Sequence, residues 1–239
     1  MPLISKRLLS RERLLKQRLN AERKRSAVGR PHVLHFFHQS DDPYSQLLAH
    51  VLPKLLGKFE VTLETHPVGM PADSAVPERQ KLAAYGLLDA QRLAEQFAID
   101  WQFEAHAEKL DQASAQHIES NQRRRKKWGH YLGATLYYEG EWYWGIDRLH
   151  HLEARLNELG LCKTAYKGPL FPSAQYTPLQ AVPPGTHIDF FFSFRSPYSA
   201  ISAAQVFHWA RKAGIQVNLR YVLPMVMRGL PVPAEKRRY

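Results

Sequence analysis

The sequence has a single cysteine, Cys162, in 239 residues. One thiol excludes an internal disulfide and any CxxC redox pair. It also points to a reducing, cytoplasmic setting. No stretch approaches the roughly 18 consecutive apolar residues that suggest a membrane-spanning helix. The N-terminus is charged but has no compact apolar run with a small-residue cleavage site, so no secretory signal is expected. An excess of one charge sign is lacking outside the leader. The net charge is +11, yet residues 1–30 hold ten lysines and arginines against two glutamates. The remainder is close to balanced, so the basic character does not by itself imply nucleic-acid binding.

What is present is an ordinary globular composition, 44% hydrophobic and 23% charged, in a chain long enough for one domain and part of another. Residues 1–30 read as a basic helix ending near Gly29-Arg30-Pro31. Leu8, Leu15 and Leu19 share one stripe there, expected to pack on the body of the protein or on a partner. His32 to His38 reads as a strand. Asp42-Pro43 opens a helix that Gly57 closes, and Phe59 to His66 reads as a second strand. A strand–helix–strand unit with one short helix implies parallel strands. Residues 73–128 are helical in character, with a second helix over about 111–127. Leu136–Tyr138 and Trp142–Trp144 read as strands about a Glu139-Gly140 turn. Asp147 is then expected to cap a helix that stops at Gly160. Residues 31–160 thus read βαβ, helical insert, ββα.

Residues 161–186 contain five prolines and few periodic apolar positions, and read as a linker. After it the βαβ pattern returns. "FFHQSDDPYS" aligns without gaps on "FFFSFRSPYS" 154 residues later. Residues 187–239 therefore read as the opening half of a second copy. The chain stops before the insert and the ββα half of that copy, and a fragment of a longer tandem protein is expected.

In the second copy Ser196 stands at a helix N-cap and Pro197 at the first helical position, as Asp42 and Pro43 do in the first. Capping alone accounts for both. The same geometry also suits an anion, because a helix N-terminus after a parallel strand presents free N–H groups and partial positive charge. A thiolate is one such anion. The hydroxyl of Ser196 could donate to it, whereas an ionised Asp42 accepts only and repels.

The element order, the "FSFRSPYSAIS" junction and "GEWYWGIDRLHHLEARL" resemble the DsbA-like thioredoxin superfamily. The resemblance is to its glutathione-using branch, the 2-hydroxychromene-2-carboxylate isomerases and kappa-class glutathione transferases. It implies an α/β, thioredoxin-like fold in residues 31–160 and the start of a second such copy in 187–239. It also implies glutathione as cofactor and a glutathione-dependent isomerase or transferase acting on an electrophilic or aromatic small molecule. Ser196 is implied beside the glutathione sulfur, with Pro197 and Tyr198 next to it. Asp147 and Arg148, in the first copy, are implied at the γ-glutamyl end. The family's cis-proline position falls on Ala134, which is expected trans. With Asp42 for serine and Ala134 for proline, the first copy is expected to be degenerate, a packing partner that mimics the family's dimer. A homodimer or a pairing of the two copies follows from the resemblance. The rival expectation is a non-catalytic interaction module.

Other candidates weigh less. His32, His35 and His38 alternate across a strand and cannot all converge on a metal, so no metal is expected. "QRRRKKWGH", 122–130, reads as a solvated C-terminal helical turn rather than a nucleic-acid patch. "EWYWG" suits a packed strand better than base stacking. Cys162 has only Lys163 nearby to lower its pKa, and is not read as catalytic.

Overall fold

The computed structural model of the chain describes residues 10–73, 75–76, 78–104, 112–173, 182–194, 196–224, 227 and 229, with backbone alone at Gln112, Ala113 and Pro197. The chain divides into two compact units, Met1–Ala174 and Gln175–Tyr239.

Among the described residues, the first element of unit 1 is helix α1 (Arg11–Ala27), which Ser10 caps by accepting from the Arg13 N–H. Strand β1 (Val33–His38), helix α2 (Pro43–Lys58) and strand β2 (Thr62–Pro67) follow as a βαβ unit. Helices α3 (Arg79–Gln96) and α4 (Gln112–Trp128) form the insert. Strands β3 (Thr135–Tyr138) and β4 (Glu141–Trp144), a short 3-10 turn (Ile146–Arg148) and helix α5 (Leu149–Glu158) complete the unit. The sheet order is β2-β1-β3-β4, with β1 and β2 parallel and β3 antiparallel to both neighbours. This is the α/β, thioredoxin-like arrangement expected from the element order.

Alternation along the strands makes two different sheet faces. Leu34 and Phe36 of β1, Leu136 and Tyr138 of β3 and Tyr143 of β4 face the core, where Leu48, Leu52, Leu55, Leu149, Leu152 and Leu156 of α2 and α5 meet them. The β3–β4 turn has positive φ at both Glu139 (40°) and Gly140 (93°), as a two-residue hairpin requires. Buried Arg155 binds the back of that turn, donating to the Tyr138 and Glu139 carbonyls at 2.8 and 3.2 Å.

Four expectations are corrected. Leu15 and Leu19 do not pack α1 onto unit 1: they are 44% and 51% exposed. Arg18 docks the helix instead, gripping both oxygens of Glu141 at 2.7 and 2.9 Å and reaching Glu158 at 3.4 Å. Leu8 lies outside the described residues. Gly57 does not stop α2, which runs on to Lys58. Asp147 does not cap α5: the 3-10 turn precedes that helix, and Asp147 lies against Arg148 at 3.4 Å. Residues 161–173 are not a free linker. Phe59 bridges to Cys162 and Phe171 is buried. Buried Glu153 accepts from the backbone N–H of Leu170 at 2.7 Å and of Phe171 at 3.2 Å, and from Lys58 at 3.2 Å. The rest of the predicted linker is described only from residue 182 onward.

Unit 2 consists, among the described residues, of strand β5 (His187–Phe192), helix α6 (Pro197–Ala213) and strand β6 (Gln216–Tyr221). The strands pair in parallel. Their register repeats that of β1 and β2: Val33 pairs with Thr62, and His187, 154 residues on, pairs with Gln216. Gly214 ends α6 in the left-handed conformation.

Replacing Arg18 by methionine removes the bidentate grip on Glu141 and keeps an unbranched apolar stem. The expected loss is about 1–2 kcal/mol. Hydrogen exchange is expected to rise along α1 and to stay unchanged in β1 and β3. Equal protection of α1 in the variant would show that something else docks the helix.

Candidate functional site

The site expected of this topology lies where β1 runs into α2. Asp42 is the N-cap, its carboxylate accepting from the Ser45 N–H at 2.9 Å. Pro43 occupies the first turn and Ser45 is fully buried beneath it. The Ser45 hydroxyl accepts two backbone N–H groups, from Gln39 at 3.0 Å and from Ala134 at 2.8 Å. One oxygen therefore ties the end of β1 and the start of α2 to the loop that enters β3.

That loop closes tightly on the junction. Among the described residues there is no cis peptide bond, so the bond to Ala134 is trans, as expected. Ala134 has φ +52°, a conformation costing an alanine about 1–2 kcal/mol. It is held there at both ends, by Ser45 and by the Gly145 N–H, which donates to its carbonyl at 2.9 Å. A Cβ on Gly133 would lie 2.8 Å from the Gln39 Cβ. The backbone edge at this loop is thus already engaged within unit 1. Burial pushes the Asp42 carboxyl up to about 6, against the pull of its cap hydrogen bonds.

In unit 2 the corresponding junction keeps the same plan. Ser196 is the N-cap of α6, and its hydroxyl oxygen accepts from the Ser199 N–H at 3.3 Å. The Ser199 hydroxyl accepts from the Ser193 N–H at 3.2 Å, as Ser45 does from Gln39. This shared bond is a physical reason for Pro-Tyr-Ser at both junctions: the proline starts the helix and the serine holds the strand end. Tyr198 is 81% exposed. The expected site residues divide between the units. Ser196, Pro197 and Tyr198 belong to unit 2. Asp147 and Arg148 belong to unit 1, in the 3-10 turn that begins at Gly145 beside Ala134.

The second face of the unit 1 sheet holds groups that the sequence pattern did not bring together. His35 of β1 pairs in register with Glu64 of β2. His66, two residues on, points to the same face. The His35 Nδ1 lies 3.0 Å from the His66 Nε2 and 3.3 Å from a Glu64 oxygen. The His66 Nε2 lies 3.6 Å from the other Glu64 oxygen. Phe37 stacks on His66, and Trp128 sets its edge against His35. Burial is the main cause that pushes His66 down to about 4. Nearby His130 is also pushed down to about 4, by burial and then by Arg125. Of the histidine triplet, only His35 enters this group. His32 bonds the Tyr138 hydroxyl at 2.6 Å, and His38 tilts against Phe36 on the core face. The basic run at 122–130 is not uniformly solvated either. Arg125 turns inward and is 3% exposed, four residues after buried Asn121. Burial lowers its pKa to about 10.

No protein-family model and no curated protein matches the sequence. Among solved structures, the chain is similar to a 2-hydroxychromene-2-carboxylate isomerase in its selenomethionine form. The identity is 15% and the TM-score 0.42, over 54% of this chain and 96% of that one. The fold assignment rests on strand order and register. Among the described residues, no helix is long and apolar enough to cross a membrane.

Two results test this geometry. Ser45→Ala leaves two buried N–H groups without an acceptor, and about 2–4 kcal/mol of unit 1 stability is expected to be lost. Ser199→Ala frees one N–H in a half-buried place and is expected to cost less. Equal losses in denaturant melts would remove the special role of Ser45.

The second result concerns pH. A carboxyl raised to about 6 in the fold contributes stability that is lost as pH climbs from about 4 past 6. A histidine lowered to about 4 contributes stability that is lost as pH falls from 6.5 towards 4. The two slopes oppose each other in the same window. Asp42→Asn keeps a capping oxygen and removes the first slope. Its stability is expected to rise more steeply than the wild type's between pH 4.5 and 6.5. Parallel curves would show that Asp42 titrates normally.

Proposed function

We propose that the chain is a thioredoxin-fold protein whose glutathione chemistry belongs to the β5–α6 junction. The reaction is of the isomerase or transferase type found in 2-hydroxychromene-2-carboxylate isomerases and kappa-class transferases. Unit 1 serves beside it as a non-catalytic module. The reading is carried by the hydroxyl of Ser196. As a cap it uses an oxygen lone pair on the Ser199 N–H at 3.3 Å. Its own proton stays available to donate. A thiolate at the N-terminus of α6 would then receive one charge-assisted hydrogen bond, in addition to the pull of the helix end. The thiolate adds to an unsaturated or electrophilic carbon of a small aromatic substrate. In an isomerisation it departs again after bond rotation, with no net change in atoms. In a transfer it stays.

Asp42 supports the division of labour between the junctions. It caps its helix as Ser196 does but has no proton to give once ionised, and its charge opposes a thiolate. The closed loop at Gly133-Ala134 supports the same division, because a glutathione backbone would have to displace Ser45 or Gln39 to dock there. In this reading Asp147 and Arg148 have no bound γ-glutamyl group to hold in unit 1. A second reading, an interaction module without catalysis in either unit, is favoured by that same closure.

Calorimetric titration of reduced glutathione into the full chain separates the readings. Ser196→Asp keeps the cap and removes the donor, and is expected to weaken binding about ten-fold or more with little change in melting temperature. Ser196→Ala is expected to lose affinity and some stability together. No binding by the wild type leaves the interaction module. Equal binding by Ser196→Asp removes the serine from the mechanism.

A further inference from the structure

The His35, Glu64 and His66 cluster goes beyond the reading above and lies on the opposite face of the unit 1 sheet from the core that α2 and α5 cover. Each side chain offers one ligand atom, and the three atoms lie within 4.8 Å of one another. The separations are close to those of a metal's coordination sphere. Bonds of about 2.0–2.1 Å at tetrahedral angles put ligand atoms about 3.3 Å apart. The His35–His66 separation of 3.0 Å and the His35–Glu64 separation of 3.3 Å are close to that value, and the second Glu64 oxygen lies 3.6 Å from the His66 Nε2.

The setting is also that of a site rather than of a chance contact. His66 is held on several sides. Phe37 stacks on its ring with centroids 4.9 Å apart, the Arg124 Nη1 lies 3.4 Å from its Nδ1, and buried Asn121 stands beside it. Asn121 is itself fixed, donating to the Pro67 carbonyl at 3.0 Å. A ligand histidine packed on several sides in this way keeps its ring orientation. His35 is fixed by the Trp128 edge, with centroids 5.0 Å apart. Glu64 is half-exposed and gives the group a face open to solvent. Two imidazoles and one carboxylate form a borderline donor set, suited to zinc and its first-row neighbours rather than to magnesium or calcium.

We propose that His35, Glu64 and His66 bind one divalent transition metal, zinc by donor chemistry, with a water completing the fourth position. Arg124 opposes the ion. Its Nη1 lies 3.4 Å from Glu64 and 3.4 Å from the His66 Nδ1. It is partly exposed, so it yields by swinging into solvent, and its charge sets the affinity rather than the geometry.

The test uses the full chain. After incubation with zinc and removal of the excess by gel filtration, the wild type is expected to retain one zinc per chain. Cobalt in its place is expected to show the intense visible bands of a tetrahedral site. Glu64→Gln, at a half-exposed position that the fold does not depend on, is expected to weaken zinc binding at least ten-fold. His35→Gln is expected to do the same, and His66→Ala to abolish binding if it folds. Arg124→Ala is expected to tighten binding, a result that a purely structural histidine pair would not produce. No stoichiometric zinc in the wild type overturns the proposal. So does zinc retained at wild-type affinity by both Glu64→Gln and His35→Gln.

Discussion

The hydroxyl oxygen of Ser45 is the point on which unit 1 turns. It accepts from the Gln39 N–H just past the end of β1 and from the N–H that leads into β3, while its own residue sits in the first turn of α2. Two consecutive elements and a loop 89 residues further on meet at one atom. The left-handed Ala134 is tolerable because Ser45 and Gly145 hold it from both sides. The 3-10 turn and α5 follow in register from Gly145. Without the two bonds, two N–H groups would be left dry and the loop would have no reason to stay closed.

The sheet divides the chemistry of unit 1. One face is filled with leucine, phenylalanine and tyrosine under α2 and α5. The other carries imidazoles, a carboxylate, indoles and arginines under α4. Partial burial on that second face depresses the histidines and leaves the guanidinium of Arg125 short of partners at Nε and Nη1. Helix α4 is held over this face by specific contacts such as Asn121 to Pro67 and by Trp128, which stacks on Tyr137 with centroids 4.5 Å apart.

Much of the architecture was legible in the residues themselves. Strand alternation, the Asp42 and Ser196 caps, the Glu139-Gly140 turn and the Gly160 stop are local signals, and each element appears within a few residues of its expected bounds. What was not legible depended on partners distant in sequence. The leucines of α1 looked like a packing stripe, but Glu141, 123 residues after Arg18, decides which side faces inward. The segment 161–173 looked like a linker because its prolines break periodicity, and the buried carboxylate that binds it lies on α5. His35 and the pair Glu64 and His66 meet through the parallel register of β1 and β2, which no spacing within either strand reveals. In the candidate site, the cap residues were readable one by one. The closure of the loop over them was not, because it depends on Gly133 reaching Gln39.

That approach couples two residues 94 positions apart into one character. A side chain at 133 has room only where residue 39 lacks a Cβ, since the Cβ of Gln39 already fills the space. Variants of this sequence that open the junction are therefore expected to change in pairs. A lone mutation at 133 behaves as a lesion, while the double change behaves as a neutral step between an occluded and an accessible form of the same fold.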